Sequence, residues 1–261
     1  GDHRDLHSFP TRRSSDLATF GIFSDQNCSK QIGTLTTNGN GETNEVEATA
    51  GTVYIKELSA PKGYKLDTTV RSLKVEAGKT AVLNVSDVPK VTETLVDLFK
   101  IDMETGKATA QGDAALSGAE FTWHYYDGLY TKDNLPEKAT RTWVTKTVAE
   151  KDSNGTVHYV TKLADDYKVS GDTFYTQNEK SVLPLGTLTV EETKAPDGYL
   201  LDGAYMQAGD STEQIKGMYL TQITEDGELA VLSGSNQYSV SDQVIRGGVK
   251  IQKRDLETKD T

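Results

Sequence analysis

One phrase occurs twice in this chain and limits what it can fold into. Glu57-Leu-Ser-Ala60-Pro61-Lys-Gly63-Tyr64 and Glu192-Thr-Lys-Ala195-Pro196-Asp-Gly198-Tyr199 carry Glu, Ala, Pro, Gly and Tyr at the same offsets, and Leu66-Asp67 and Leu201-Asp202 follow in step. Such repetition marks an array of related modules. Before each glutamate runs an alternating segment, Val53/Ile55 in one copy and Leu188/Val190 in the other. Because side chains on a strand repeat every two residues, Glu57 and Glu192 point the same way as those apolar groups. A carboxylate aimed at a core needs a partner or a chemical role.

Short alternating runs rich in Thr, Val and Tyr, broken by Gly, extend along the whole chain and predict an all-β protein. At 261 residues, the chain is long enough for two or three small domains. No apolar run reaches the length of a membrane span, and no secretory apolar core is present. The single cysteine, Cys28, excludes a disulfide framework within the chain and reads as a small, half-buried filler. Net charge is −11 with no basic cluster, which argues against a nucleic-acid partner, since phosphate backbones are bound by grouped Lys and Arg.

Residues 1–17 have no periodicity and resemble the in-frame translation of a common sequencing adapter, so they are expected to be a non-native artefact. They hold two of the four histidines, which weakens any case for a metal site. From Ala18 the chain is expected to form one module, 18–90, that lacks its first strand, with strands at Ala18–Phe23, Gly51–Glu57, Ser72–Val75 and Ala81–Val88. A complete module, 91–246, opens at Leu95 and is expected to carry a long insertion over about 123–180, with a hairpin turn at Asn154-Gly155. Residues 247–261 repeat its opening and are expected to form the first strand of a third module.

Strand phase then brings out a set of charged residues. Lys100 lies in phase with Val96 and Leu98, and Lys253 with Val249 and Ile251. Asp242 follows Tyr238 and Val240, and Asp87 follows Leu83 and Val85. Each of these strands thus offers one ionisable group to its apolar face: a lysine on a first strand, a glutamate on a middle strand and an aspartate on a last strand. Burial disfavours charge, turning an amine into a nucleophile and keeping a carboxyl protonated. Held together, amine and carboxyl can condense to an amide while a second carboxyl moves the protons. The uncharged product removes the cost of burying ions.

Lys100-Ile-Asp102, Leu116-Ser-Gly118-Ala119-Glu-Phe121, Glu192-Thr-Lys-Ala-Pro196-Asp-Gly198-Tyr199 and Val240-Ser-Asp242 together resemble the collagen-adhesin B-type, SpaA-like pilin domain. The resemblance covers residues 18–261. It implies tandem prealbumin-like (Ig-like, Greek-key) β-sandwich domains of a Gram-positive, cell-wall-anchored surface protein, part of a longer multi-domain chain. It also implies an autocatalytic isopeptide bond from Lys100 to Asp242 assisted by Glu192, and no cofactor. Val85-Ser-Asp87-Val-Pro89 matches the family's closing motif with Asp in place of Asn, so water rather than ammonia would leave. The first module has Glu57 and Asp87 but no lysine, and the third has only Lys253.

Other functions follow from other features. Trp123, Trp143 and six tyrosines fall in the expected insertion, and aromatic platforms can bind glycans or host matrix proteins. Paired carboxylates could serve a hydrolase, but these acids lie in phase with closed apolar faces rather than in a cleft. Asp152-Ser-Asn154-Gly155 is acidic and turn-like, yet lacks the spaced ligands of a calcium loop.

Overall fold

In a computed structural model, the described residues are 18–93, 96–208, 214–224 and 237–253. The segment expected to be an artefact, 1–17, lies outside them. The protein is all-β, and the described helical structure consists of short 3-10 turns at Lys132–Asn134 and Asp165–Tyr167.

The N-terminal strands are β1 (Thr19–Phe23), β2 (Gln31–Thr36), β3 (Gly51–Ser59), β4 (Tyr64–Lys65), β5 (Arg71–Val75) and β6 (Val88–Pro89). An antiparallel sheet runs β2-β1-β3-β5, and β4 pairs with β6. Alternation along β3 buries Val53, Ile55 and Glu57 on one face, while Phe20 and Ile55 form a small core with Ala18. The strand expected over 81–88 does not form: residues 81–87 have no ladder partner, and only Val88–Pro89 is extended in a sheet. A strand is a pairing and not a property of one segment. Among the described residues, no strand pairs with this segment.

A short β7 (Val91–Glu93) leads to the larger C-terminal part. One layer contains β8 (Asp97–Asp102), β11 (Val148–Lys151), β12 (Val157–Thr161), β17 (Tyr199–Ala208), β18 (Gln214–Lys216) and β20 (Gln237–Val244), in the order β11-β12-β8-β20-β17-β18. The facing layer contains β9 (Glu120–Tyr126), β10 (Arg141–Lys146), β13 (Lys168–Gly171), β16 (Gly186–Lys194) and β19 (Tyr219–Ile223), in the order β13-β10-β9-β16-β19. A third small sheet joins β14 (Tyr175–Gln177), β15 (Lys180–Pro184) and β7. The expected hairpin is present: β11 pairs with β12 around Asn154-Gly155, and Gly155 takes φ +82°, open to glycine without a Cβ penalty.

The two parts repeat one ladder. Phe20 stands opposite Glu57 and Ile22 opposite Ile55 on β1 and β3. Phe121 stands opposite Glu192 and Trp123 opposite Val190 on β9 and β16. Trp123 is therefore the ladder counterpart of Ile22 on a central strand.

The aromatic residues are core rather than platform. Trp123, Trp143 and Tyr125 have no exposed surface and Tyr175 has 1%. Trp123 Nε1 donates to Thr145 Oγ1, the Tyr125 hydroxyl donates to the Leu185 carbonyl, and Trp143 stacks on Phe174. Large rings fill the space between the layers and satisfy their polar ends internally, which leaves none of these four as a sugar-binding surface.

Residues 247–253 form no strand. Val249 and Ile251 are 93% and 90% exposed, and Lys253 is exposed with them, so this lysine faces solvent rather than a core. The physical reason is the one that applies at Asp87: no described strand pairs with the segment.

Candidate functional site: a buried lysine between two carboxyls

The first and last strands of the C-terminal sandwich, β8 and β20, lie side by side and parallel, with Lys100 opposite Val240 and Asp102 opposite Asp242. Parallel neighbours cannot be joined by a tight turn, so the whole sandwich is threaded between them. Period-two alternation on β8 buries Leu98, Lys100 and Asp102, and on β20 it buries Tyr238, Val240, Asp242 and Val244. Glu192 comes from β16 in the facing layer, at a point where the pairing with β9 shifts register. Three charged side chains from both layers therefore meet inside the apolar core.

The Lys100 Nζ lies 2.5 Å from Glu192 Oε2 and 2.6 Å from Asp242 Oδ1, and the three side chains are 0%, 2% and 0% exposed. The contact to Glu192 is a hydrogen bond donated by the amine. The contact to Asp242 does not follow a hydrogen-bonding direction, and both Asp242 oxygens, like Glu192 Oε1, are buried without a hydrogen-bond partner in the protein. Burial pushes the Glu192 carboxyl up to about 8, with the Asp242 carboxyl adding to the rise and Lys100 opposing it. Such a carboxyl can both take a proton from an amine and return one near neutral pH.

Two further residues of this cluster carry no functional role in the sequence reading. Asp102 is fully buried, yet it accepts from the Thr105 backbone N–H at 2.8 Å, from Gln111 Nε2 at 2.9 Å and from the Tyr199 hydroxyl at 2.9 Å. Although desolvation acts against it, these bonds hold its pKa below the ordinary carboxylate value. Burial and the same contact push Tyr199 up to about 12. Tyr199 is the tyrosine of the repeated phrase. Gly198, at φ +84°, sits so close to the preceding loop that a Cβ there would meet Ala114 Cβ at 2.6 Å. The phase of Asp102 with Lys100 was the available signal, hidden because the residue also opens a turn.

In the N-terminal part, Glu57 is buried to 1% exposure. Its Oε2 accepts from the Asp67 backbone N–H at 2.7 Å, and its Oε1 has no partner. Burial raises its pKa, the Asp67 N–H opposes that, and the Asp87 carboxylate adds to it. Burial raises the pKa of Asp87 as well. These two acids are brought near each other, and among the described residues no lysine joins them in an ion pair. Lys253 is placed at neither site.

Asp152 caps its own turn, accepting from the Asn154 and Thr156 backbone N–H groups. No group of three or more metal-ligating side chains occurs among the described residues. No described helix is long and apolar enough to cross a membrane.

None of the curated proteins compared matches the chain. Among solved structures, the Bacillus anthracis TIE protein is similar at 23% identity and a TM-score of 0.48, over 88% of this chain and 31% of that one. The chain thus spans about a third of the length of that protein. The C-terminal fragment of the pilus adhesin SpaC from Lactobacillus rhamnosus GG is similar at 16% identity and a TM-score of 0.45, over 93% of this chain and 95% of the fragment. A minor pilin of Streptococcus agalactiae is similar at 14% identity and a TM-score of 0.25, over 92% and 87%. Residues 16–89 match the family SpaA, described as a prealbumin-like fold domain, and the C-terminal sandwich repeats the β2-β1-β3-β5 ladder of that stretch as β10-β9-β16-β19.

Proposed function

We propose that the chain is a piece of a bacterial surface stalk or adhesin, divided into modules at about 18–90 and 91–246. In this reading, the second module welds its first strand to its last through an isopeptide bond between Lys100 and Asp242. The observation that carries the reading is one buried nitrogen within 2.6 Å of two buried carboxyls, inside an apolar core. A structural ion pair needs only one carboxylate, whereas condensation needs an acyl donor and a separate proton carrier. The match of residues 16–89 to the SpaA domain supports a surface role for the whole.

In the reaction, Lys100 Nζ forms a bond to Asp242 Cγ. Glu192 relays two protons, one after the other, from the nitrogen to the departing Asp242 oxygen, whose bond to Cγ breaks, and one water leaves. An ammonium and a carboxylate become an amide plus water, so charge and atoms balance. No second substrate or cofactor is required. The step occurs once per molecule, so the protein is a structural element and not a turnover enzyme.

The mechanical consequence follows from topology. The chain enters at the start of β8 and leaves at the end of β20, opposite ends of a parallel pair, so tension shears that pair. A covalent bond between residues 100 and 242 carries the load past everything threaded between them. The first module, with Glu57 and Asp87 but no paired lysine, is not assigned a bond. Intact mass spectrometry tests the reading: the chain should weigh about 18 Da less than its sequence, one lost water, and Glu192→Ala should restore the full mass. An unshifted mass removes the proposal.

A further inference from the structure

The reaction centre is enclosed by both layers, yet a water must leave it. Where β17 passes β20, Leu200 pairs with Gln243 and the next pair is Tyr205 with Ser241. Five residues of β17 therefore advance against two of β20, and the interruption falls opposite Asp242. Beside this bulge lies a cavity of about 420 Å³ lined by Glu192, Leu201, Tyr205, Met206, Lys216 and Val240. Leu201 is 40% exposed and Lys216 is exposed, so these two stand at its mouth. Val240 and Glu192 stand at its floor, and Val240 is the register partner of Lys100. Glu192 Oε1, buried and without a hydrogen-bond partner in the protein, belongs to the carboxyl that reaches this floor.

We infer that this cavity is the water port of the Lys100–Glu192–Asp242 centre, the passage through which the condensation water leaves. The inference rests on the cross-linking reading. A buried acceptor beside a space of this size is a water-binding site, because a cavity admits water where polar partners line it and volume suffices. The hydroxyl expelled from Asp242 picks up its proton from Glu192 and is handed to the free acceptor, Glu192 Oε1, at the cavity floor. From there it passes between Leu201 and Lys216 to solvent. If the water stayed beside the new amide, it would be poised to hydrolyse it, so an outlet drives the condensation towards product. The β17 bulge thereby opens a layer that would otherwise close over Asp242.

The test follows the mass of freshly made full-length chain in a cell-free translation, sampled over time. The wild type should lose about 18 Da, one water. Leu201→Trp and Lys216→Trp, which narrow the mouth, should slow the loss on the order of tenfold. Leu201→Ala, which widens it, should run at the wild-type rate or faster, and Leu129→Trp, a surface control away from the cavity, should be unchanged. Equal rates in the narrowed variants overturn the port while leaving the cross-link intact. Slowing by Leu201→Ala and Leu201→Trp alike also overturns it, since that marks disturbed packing rather than a blocked passage. A wild type that never loses mass removes the cross-link and the port together.

Discussion

Replacing Glu192 by Gln keeps the volume of the side chain and removes its ability to carry a proton. Lys100 and Asp242 then remain a buried ion pair instead of an amide. The loop that the amide would close runs from residue 100 to 242, about 140 residues, which in the chain-entropy model for cross-links is worth about 5 kcal/mol. Unfolding entropy near 60 °C is about 2.1 cal/mol/K per residue, or about 0.3 kcal/mol/K for a sandwich of this length, so the midpoint should fall by about 15 °C. Differential scanning calorimetry of the full chain reads this directly, and only the transition of the C-terminal sandwich should move. Intact mass, measured on the same samples, should rise by about 18 Da in the variant. A variant that melts with the wild type, or that keeps the lower mass, refutes the reasoning.

Three further outcomes follow from the site. In Lys100→Met, which cannot cross-link, Glu192 keeps a folded pKa raised above its unfolded value of 4.5, so the folded state binds the extra proton between the two. The Glu192 contribution should therefore be complete below the unfolded value and be lost as pH rises above it, over a window extended upward because the Lys100 charge that lowers this pKa is gone. Melts of Lys100→Met that show no such loss relative to Lys100→Met/Glu192→Gln would contradict it. Tyr199→Phe leaves the buried Asp102 short of one donor and should cost about 1–3 kcal/mol. Because the Asp102 pKa is depressed in the fold, its contribution is present above the unfolded value and lost on acidification, and the variant should begin acid unfolding at a higher pH than the wild type. Gly198→Ala combines a positive φ with a Cβ contact at 2.6 Å, whereas Gly118→Ala has the same φ of +84° and open space. Both should lose about 1–2 kcal/mol to the backbone, and only the former a further amount to packing, measurable as a larger drop in urea midpoint.

How much of this was legible in the sequence depended on whether the property was local. Inward phase is local to a strand, so Glu57, Lys100, Glu192 and Asp242 could be placed on core faces from alternation alone. Asp102 shares that phase but also opens a turn, and the turn reading concealed a buried carboxylate. Strand pairing is not local: 81–87 and 249–253 alternate like their counterparts, but without a partner edge Asp87 stays outside a ladder and Lys253 in solvent. The aromatic run from Trp123 to Tyr126 read as inserted because Trp123 stands where the first copy has the smaller Ile22. The register Trp123–Val190 matches Ile22–Ile55 and shows that the strand is the same. That Lys100, Asp242 and Glu192 converge on a single point needed both layers at once.

Proteolysis of the full chain followed by fragment sequencing in a mass spectrometer reads the Lys100–Asp242 bond itself. A branched peptide is predicted, joining the segment that contains Lys100 to the segment that contains Asp242 and about 18 Da lighter than the two together. It should be absent from Glu192→Gln. Recovery of the two segments as separate peptides at full mass would contradict the account.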